Sequence, residues 1–167
     1  QDKLRESWKE EEREGGTDIA FSVLKNIDRE EVLENYYKKH KDEVRRRLLV
    51  FAQSGADGSE CALWLDDEGH TQIVHIGSGS GSIMTCILVK NALDFLRLLA
   101  IGYDEICWYE DYPFPPNSNK DNTFVYLNTQ YQEWIQNTFH TTIPKIGLEV
   151  VTPHNMNDEP ITDPFLK

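Results

Sequence analysis

Residues 61–108, CALWLDDEGHTQIVHIGSGSGSIMTCILVKNALDFLRLLAIGYDEICW, contain three runs in which apolar residues recur with a period near two. The runs fall at 62–64, 73–76 and 83–89, and short polar or glycine-rich stretches separate them. Alternation with a period of two is typical of β-strands that bury one face. We therefore expect these runs to be neighbouring strands of one sheet.

The connections between the expected strands are short. A further strand is expected at 49–52, and the turn-forming residues 54–59 join it to the next run. Residues 66–69, Asp-Asp-Glu-Gly, can close a hairpin, and the Gly/Ser run 77–82 leads to the last strand. Because connections of this length join antiparallel neighbours, the spacing predicts an antiparallel meander.

Helices are expected before and after this sheet. Asn91 is a suitable N-cap for a helix with a wide apolar face, and Gly102 is a suitable end for it. Two further helices are expected, one at 29–41, whose start resembles a capping box, and one at 127–139. The basic triplet 45–47 should lie on a solvated face that leads into the first strand.

The two ends of the chain show less regular patterns. Residues 1–16 are mostly charged and are expected to fray or to lie at the periphery. Residues 19–24 fit one helical turn or an edge strand equally well, and the proline-containing tail 144–167 is expected to pack on the body as extended chain. With 167 residues, 39% of them hydrophobic, residues 1–167 are expected to form a single domain.

Membrane and disulfide classes are disfavoured. The apolar runs are interrupted well before the ~18 residues of a membrane helix, and the N-terminus lacks the basic-then-apolar order of a secretory signal. We therefore expect a cytoplasmic protein with no membrane association. Cys61, Cys86 and Cys107 are too widely spaced for a zinc knuckle and odd in number, so we expect buried free thiols.

Charge is unevenly distributed along the chain, whose formal net charge is −12. Residues 1–50 carry 12 Lys and Arg against 13 Asp and Glu, whereas residues 51–167 carry 5 against 16. The two parts therefore contribute −1 and −11. An acidic surface repels phosphate backbones, which disfavours direct nucleic-acid binding, and it attracts basic proteins. Acidity can also serve solubility alone, so both interpretations stay open.

The sequence contains no recognisable catalytic or cofactor motif. The Gly/Ser run 77–82 fits neither phosphate-binding pattern, G-x-x-x-x-G-K-[ST] or G-x-G-x-x-G, so we interpret it as a connection within the sheet. His70, His75 and Asp66 could bind a metal only if the fold assembled them. The chain has no G-x-S-x-G elbow, and the cysteines lie in apolar surroundings. We therefore expect a non-enzymatic protein without metal or cofactor.

Two acidic clusters remain, at 66–68 and at 104–112, and aromatic residues that we expect to be exposed interleave the second, Tyr103 among them. Acids interleaved with aromatic residues are typical of surfaces that bind a basic partner, whereas acids on turns often only face water. On the first interpretation, the acids supply charge and the aromatic residues supply anchors. The candidate partner-binding residues are then Asp66, Asp67, Glu68, Asp104, Glu105, Trp108, Tyr109, Glu110, Asp111 and Tyr112.

Several short motifs follow one another in a characteristic order. They are Phe51-Ala52, the Gly/Asp turn 54–59, the strands Ala62-Leu63-Trp64 and Ile73-Val74-His75-Ile76-Gly77, the helix Asp94–Leu99, Glu133-Trp134 and Asp163-Pro164-Phe165. This order resembles the SUKH superfamily, bacterial immunity proteins related to a fungal regulator of glucan synthesis. The resemblance covers 51–102 well and the C-terminal third loosely. The chain departs from it at 78–81, where the family often has an acidic residue followed by glycine.

The resemblance implies an α+β fold with an antiparallel, curved sheet of about four to six strands, flanked by N-terminal and C-terminal helices. It also implies a non-enzymatic role, in which the protein blocks a cognate toxin domain, often a nuclease. We expect a basic toxin domain as partner, and a monomer or weak dimer. Two alternatives stay open: a regulatory scaffold module of the same fold, and a small-molecule-binding protein that uses the Gly/Ser run.

Overall fold

The computed structural model describes residues 13–14, 19–21, 41–118 and 124–167. The strands are β1 (Arg13–Glu14), β2 (Ala20–Phe21), β3 (Leu48–Gln53), β4 (Glu60–Leu65), β5 (Thr71–Ile76), β6 (Thr85–Val89) and β7 (Val125–Tyr126). The α-helices are α1 (Lys41–Arg47), α2 (Ala92–Ile101) and α3 (Thr129–Phe139). Short 3₁₀ turns are formed by Tyr109–Asp111, Gly147–Glu149 and Pro164–Leu166.

One antiparallel sheet forms the centre of the fold. It contains five of the described strands in the order β2-β3-β4-β5-β6, so strands that follow one another from β2 to β6 are also neighbours in space. The remaining two described strands, β1 and β7, form a separate parallel pair. The antiparallel meander and the accompanying helices confirm the predicted α+β fold class.

The sheet buries apolar side chains on both faces. Because side chains alternate along a strand, Cys61 of β4 enters a core cluster with Phe95 of α2, whereas the next residue, Ala62, enters a cluster on the opposite face. Val44 of α1 and Phe165 of the tail pack against that second cluster. The central strands are therefore covered on both sides.

Helix α2 begins and ends where the sequence predicts. The side chain of Asn91 accepts a hydrogen bond from the N–H of Asp94 at 2.9 Å. Gly102 follows the last turn with φ of 96°, and a Cβ at this position would lie 2.6 Å from Leu127 Cδ2. The left-handed backbone angle favours glycine at position 102, whereas the Leu127 methyl group is the end of a flexible, exposed side chain that can move.

The other predicted C-terminal helix is also present. Helix α3 begins after Asn128, whose side chain accepts a hydrogen bond from the N–H of Tyr131 at 2.9 Å. Helices α1, α2 and α3 contain 7, 10 and 11 residues. A helix that crosses a bilayer needs about 20 residues. Among the residues that the structure describes, no helix has the length and apolar character to cross a membrane.

Most of the N-terminal expectations lie outside the described residues. This holds for the charged segment 1–12 and for residues 29–40 of the expected helix. Strand β2 pairs with the end of β3, so residues 20–21 form the edge strand and not the helical turn. The basic triplet lies in α1, directly before β3, with Arg45 and Arg46 exposed as predicted.

The C-terminal part of the tail, residues 154–163, contacts the outer strand of the sheet, β6. The N–H of Thr85 donates to the carbonyl of His154 at 3.0 Å, and the N–H of Ile87 donates to Asp163 Oδ2 at 2.9 Å. Unpaired N–H groups on an edge strand are a template for aggregation. The tail therefore completes β6 in place of a sixth strand.

We expect Asp163→Ala to lower the free energy of unfolding by about 2–3 kcal/mol. Its buried carboxylate accepts from the N–H groups of Ile87 and Phe165, and the substitution leaves both donors without this acceptor. Urea unfolding followed by tryptophan fluorescence measures the loss. Asp67→Ala is the control, because Asp67 is 87% exposed and a solvent-exposed ion pair such as the one it forms with Arg47 contributes little to stability. Equal losses for the two variants would contradict this role of the tail.

Candidate partner-binding surface

The two predicted acidic clusters lie at opposite ends of the sheet. Strand β4 runs from loop 54–59 to the hairpin 66–70, and β5 runs back from the hairpin to loop 77–84. The two loops therefore lie at one end of the sheet and the hairpin at the other. The six residues of β4 separate the two ends by about 17 Å, at ~3.4 Å per residue. The loop end comprises residues 54–60, 77–84, 102–118 and 154–159. The hairpin end comprises α1 and residues 66–70.

The segment after α2 belongs to the loop end. The N–H of Ile106 donates to the carbonyl of Ser54 at 3.0 Å, and the N–H of Ala56 donates to Glu105 Oε1 at 2.6 Å. The predicted cluster 104–112 therefore lies beside the β3–β4 loop. The structure does not bring it together with the hairpin cluster, so the ten candidate residues do not form one surface.

Asp57, which the sequence analysis did not single out, ties the two sheet loops together. Its carboxylate accepts hydrogen bonds of 2.7–2.9 Å from the N–H and hydroxyl of Ser59, the hydroxyl of Ser78 and the N–H of Ser82. Burial opposes its charge, but these hydrogen bonds outweigh that effect and lower the pKa of Asp57 to about 2. A Cβ at Gly81 would lie 2.7 Å from this carboxylate, so glycine is needed for the approach.

A buried histidine links the same two loops from the core side. His75 Nδ1 lies 2.8 Å from the carbonyl of Met84, which can only accept, so Nδ1 donates. His75 Nε2 then accepts from the hydroxyl of Ser54, also at 2.8 Å. Burial lowers the pKa of His75 to about 4, so the ring is neutral near pH 7. With both side chains fully buried, the Ser–His pair serves the core and has no access to a substrate.

The acids of the segment after α2 differ in their surroundings. Glu105 is turned inward, where its carboxylate accepts from Ala56 and from the indole N–H of Trp108. Glu110 is exposed, and Asp111 is partly buried beside it. Burial and then the charges of Glu110 and Glu105 raise the pKa of Asp111. Asp111 therefore carries its negative charge against the repulsion of its neighbours.

The expectation that Tyr103 and Tyr112 are exposed is wrong. Tyr112 is fully buried, its hydroxyl donates to the carbonyl of Ile106 at 2.7 Å, and its ring stacks on the buried ring of Tyr103. Both rings complete the core below the loop, so Tyr112 cannot contact a partner. Trp108 and Tyr109 are half-buried. The exposed aromatic residue of this segment is Phe114, at 56% exposure, which sequence reasoning missed although prolines flank it.

Charge distinguishes the loop end most clearly. Residues 154–159 join it through the N–H of Met156, which donates to the carbonyl of Ile83 at 3.0 Å. Its acidic residues are Asp57, Glu60, Asp104, Glu105, Glu110, Asp111, Asp158 and Glu159. The same segments contain no lysine or arginine. These segments thus form an acidic surface without lysine or arginine, on which His154 lies 3.1 Å from Asp158.

The hairpin end has mixed charge. The carboxylate of Asp66 accepts from the N–H groups of Glu68 and His70 and from the side chain of Gln72, so it builds the turn. Asp67 pairs with Arg47 of α1. Helix α1 also carries further basic residues next to this turn. Of the two predicted clusters, the hairpin cluster is therefore the weaker site for a basic partner.

The Gly/Ser run is a connection within the sheet, as predicted. Five of its backbone N–H groups donate hydrogen bonds to acceptors within the protein, those of Gly77, Ser78, Gly79, Gly81 and Ser82. A phosphate cradle needs N–H groups that point at the ligand. In the Gly/Ser run these five N–H groups already donate to acceptors within the protein, and the Asp57 carboxylate beside them would repel an anion.

The metal hypothesis also fails on geometry. His75 lies in the core near the loop end, whereas His70 and Asp66 lie at the hairpin end. Across residues 13–14, 19–21, 41–118 and 124–167, no group of three His, Cys, Asp or Glu side chains is placed to hold a metal ion. The three residues of the hypothetical site are thus not assembled.

The three cysteines are buried free thiols, as predicted. Burial raises the pKa of Cys86 to about 12 and raises the pKa values of Cys61 and Cys107 further. A reactive cysteine needs an accessible thiolate. These thiols therefore act as apolar core residues and not as nucleophiles.

Comparisons with protein-family models, with curated proteins and with solved structures found no match to this chain. The observations that bear on function are the acidity of the loop end and its internal bracing. Asp57 and Glu105 hold three loops in fixed positions, and Glu110 stays exposed on one of them. Glu159 is exposed on the adjoining segment 154–159.

We expect Asp57→Asn to release the two sheet loops from each other. An amide has one accepting oxygen, and its NH₂ group faces donors, so stability should fall by about 2–3 kcal/mol. Amide hydrogen exchange should accelerate at Ser59 and Ser82 and stay unchanged at the hairpin. The matched control is Asp66→Asn, which should accelerate exchange at the hairpin alone. Unchanged exchange at Ser82 in the Asp57 variant would contradict this bracing.

His75 should make the protein less stable in acid. Its folded pKa of about 4 lies below the ordinary value of 6.5, so its contribution is complete above pH ~6.5 and is lost as the pH falls towards 4. That difference corresponds to a decrease of up to ~3 kcal/mol in the free energy of unfolding. The measurement is urea unfolding at several pH values for the wild type and for His75→Gln. Glutamine keeps one donor and one acceptor but does not titrate, so parallel curves would refute this assignment.

Proposed function

We propose that this chain is a non-enzymatic protein-binding domain whose loop end binds a basic protein. The observation that carries the proposal is the charge of that surface, which holds eight acidic residues and no lysine or arginine. Such a surface steers a cationic partner into contact and excludes anionic ones. Direct nucleic-acid binding is disfavoured for the same reason.

The partner that we propose is a basic toxin domain, with this chain as its immunity protein. The motif order that resembles the SUKH superfamily supports this choice. A nuclease presents a cationic groove to phosphates, and carboxylates at fixed positions can occupy that groove in place of the substrate. A cytoplasmic location would fit an inhibitor that meets the toxin inside the cell.

Rigidity of the loop end supports the same proposal. The carboxylates of Asp57 and Glu105 accept hydrogen bonds from within the protein. These bonds fix the loops of this end, one of which carries the exposed Glu110. A surface that is already ordered loses little conformational entropy when it binds. Internal and exposed carboxylates therefore have different tasks, one in positioning the loops and the other in recognition.

The decisive experiment compares charge reversal at the two ends of the sheet. Glu110→Lys/Glu159→Lys and Asp67→Lys/Glu68→Lys both change the net charge by +4 at exposed positions. The two variants and the wild type are used as affinity baits with lysate and secretome of the host. We expect the wild type and the hairpin variant to capture basic proteins, and the loop-end variant not to capture them.

The captured protein then separates the alternatives. For an immunity protein, equimolar wild type inhibits the toxic or nuclease activity of the captured protein, and association slows at least ~10-fold in the loop-end variant or at high salt. A regulatory scaffold would bind without inhibition. Equal capture by all three baits would exclude the loop end as the binding surface.

A further inference from the structure

Phe114 is the most exposed aromatic residue of the loop end. Its exposed fraction is 56%, while Tyr112, two residues earlier, is fully buried. Burying an aromatic side chain removes a large apolar area from water, and aromatic residues are enriched in interface cores. Phe114 is therefore accessible to a partner, whereas the aromatic residues predicted from the sequence are buried or half-buried.

The backbone holds Phe114 in a fixed position. Its N–H donates to the carbonyl of Asp111 at 3.0 Å, and its carbonyl accepts from the hydroxyl of Tyr103 at 2.7 Å. Pro113 and Pro115 on either side restrict the backbone further. A side chain presented in this way loses little chain entropy when a partner covers it.

A second exposed apolar residue is fixed by the same tyrosines. The N–H of Leu148 donates to the carbonyl of Tyr112 at 3.2 Å, and the N–H of Gly147 donates to the hydroxyl of Tyr103 at 2.9 Å. The exposed fraction of Leu148 is 45%. The loop that carries Phe114 and the turn that carries Leu148 are thus joined through one pair of buried rings.

Acidic residues lie in the same two segments as this apolar pair. Asp111 comes three residues before Phe114 and its carbonyl accepts a hydrogen bond from the Phe114 N–H, and Glu149 directly follows Leu148. Glu110 is exposed next to Asp111. An apolar centre with a polar rim is the usual layout of a protein interface.

We infer that Phe114, with Leu148 beside it, is the apolar anchor of the basic partner, and that Glu110, Asp111 and Glu149 contact lysines or arginines around the pocket that receives it. This inference rests on the proposed function, because it takes the partner to be basic. Charge complementarity selects this occupant: three carboxylates surround the anchor against one nearby lysine, Lys145, whose backbone N–H donates to Glu149 Oε1 at 3.1 Å, and residues 102–118 contain no lysine or arginine. A second copy of this acidic chain would be repelled.

The experiment uses random 12-residue peptides displayed on phage as the probe, selected on the immobilised full chain. Enriched peptides are synthesised, and their dissociation constants are measured by fluorescence anisotropy. The variants are Phe114→Ala, Phe124→Ala and Glu110→Lys/Glu149→Lys. Phe124 is the matched control because it has the same exposed fraction, 56%, and is not one of the proposed anchor or rim residues. Thermal unfolding verifies that each variant is folded.

We expect enriched peptides that combine an apolar residue with lysine or arginine. Phe114→Ala should weaken their binding at least ~30-fold, whereas Phe124→Ala should leave it unchanged. If the peptides are basic and respond to the charge variant but not to Phe114→Ala, the anchor is wrong and the proposed function stands. If the enriched peptides lack basic residues, or if no peptide is enriched, both proposals fail.

Discussion

The carboxylate of Asp57 is the constraint on which the loop end depends. Four hydrogen bonds from three serines reach it, and they join the β3–β4 loop to the β5–β6 loop. The β5–β6 loop could not come this close to Asp57 if it carried a larger residue at position 81, because even a Cβ at Gly81 would overlap the Asp57 side chain. The Gly/Ser composition of the second loop therefore allows close approach to a partly buried carboxylate, and the buried His75 joins the same two loops from the core side.

Local pattern was enough to predict most of the sheet and the helix that follows it. Alternation in residues 61–89 reports which side chains are buried, and the short connections allow only antiparallel neighbours. Asn91 and Gly102 mark the ends of α2 because their own side chain or backbone angle performs the capping. Information of this kind is contained within a few residues, so no knowledge of the tertiary structure is needed.

The candidate site could be predicted only in part, because its properties arise from contacts between distant segments. Acidic composition identified the segment 104–112, but composition cannot distinguish Glu105, whose oxygens are used inside the protein, from the exposed Glu110. Tyr112 follows the exposed-aromatic pattern in sequence and is buried because Gly147 leaves room against its ring. The separation of the two acidic clusters depends on strand direction, which places consecutive loops at alternating ends of the sheet.

Electrostatic repulsion at the loop end bears on the balance between stability and binding. Burial raises the pKa of Asp111 most, and the charges of Glu110 and then Glu105 raise it further, so the folded chain keeps like charges together at a cost to its own stability. Rearrangement that would relieve this repulsion is opposed by Asp57, Glu105 and the tyrosine pair, which fix the loops. On the proposed function, a cationic partner would relieve this repulsion without moving the loops. The bracing would then hold the like charges in place for the partner that we propose.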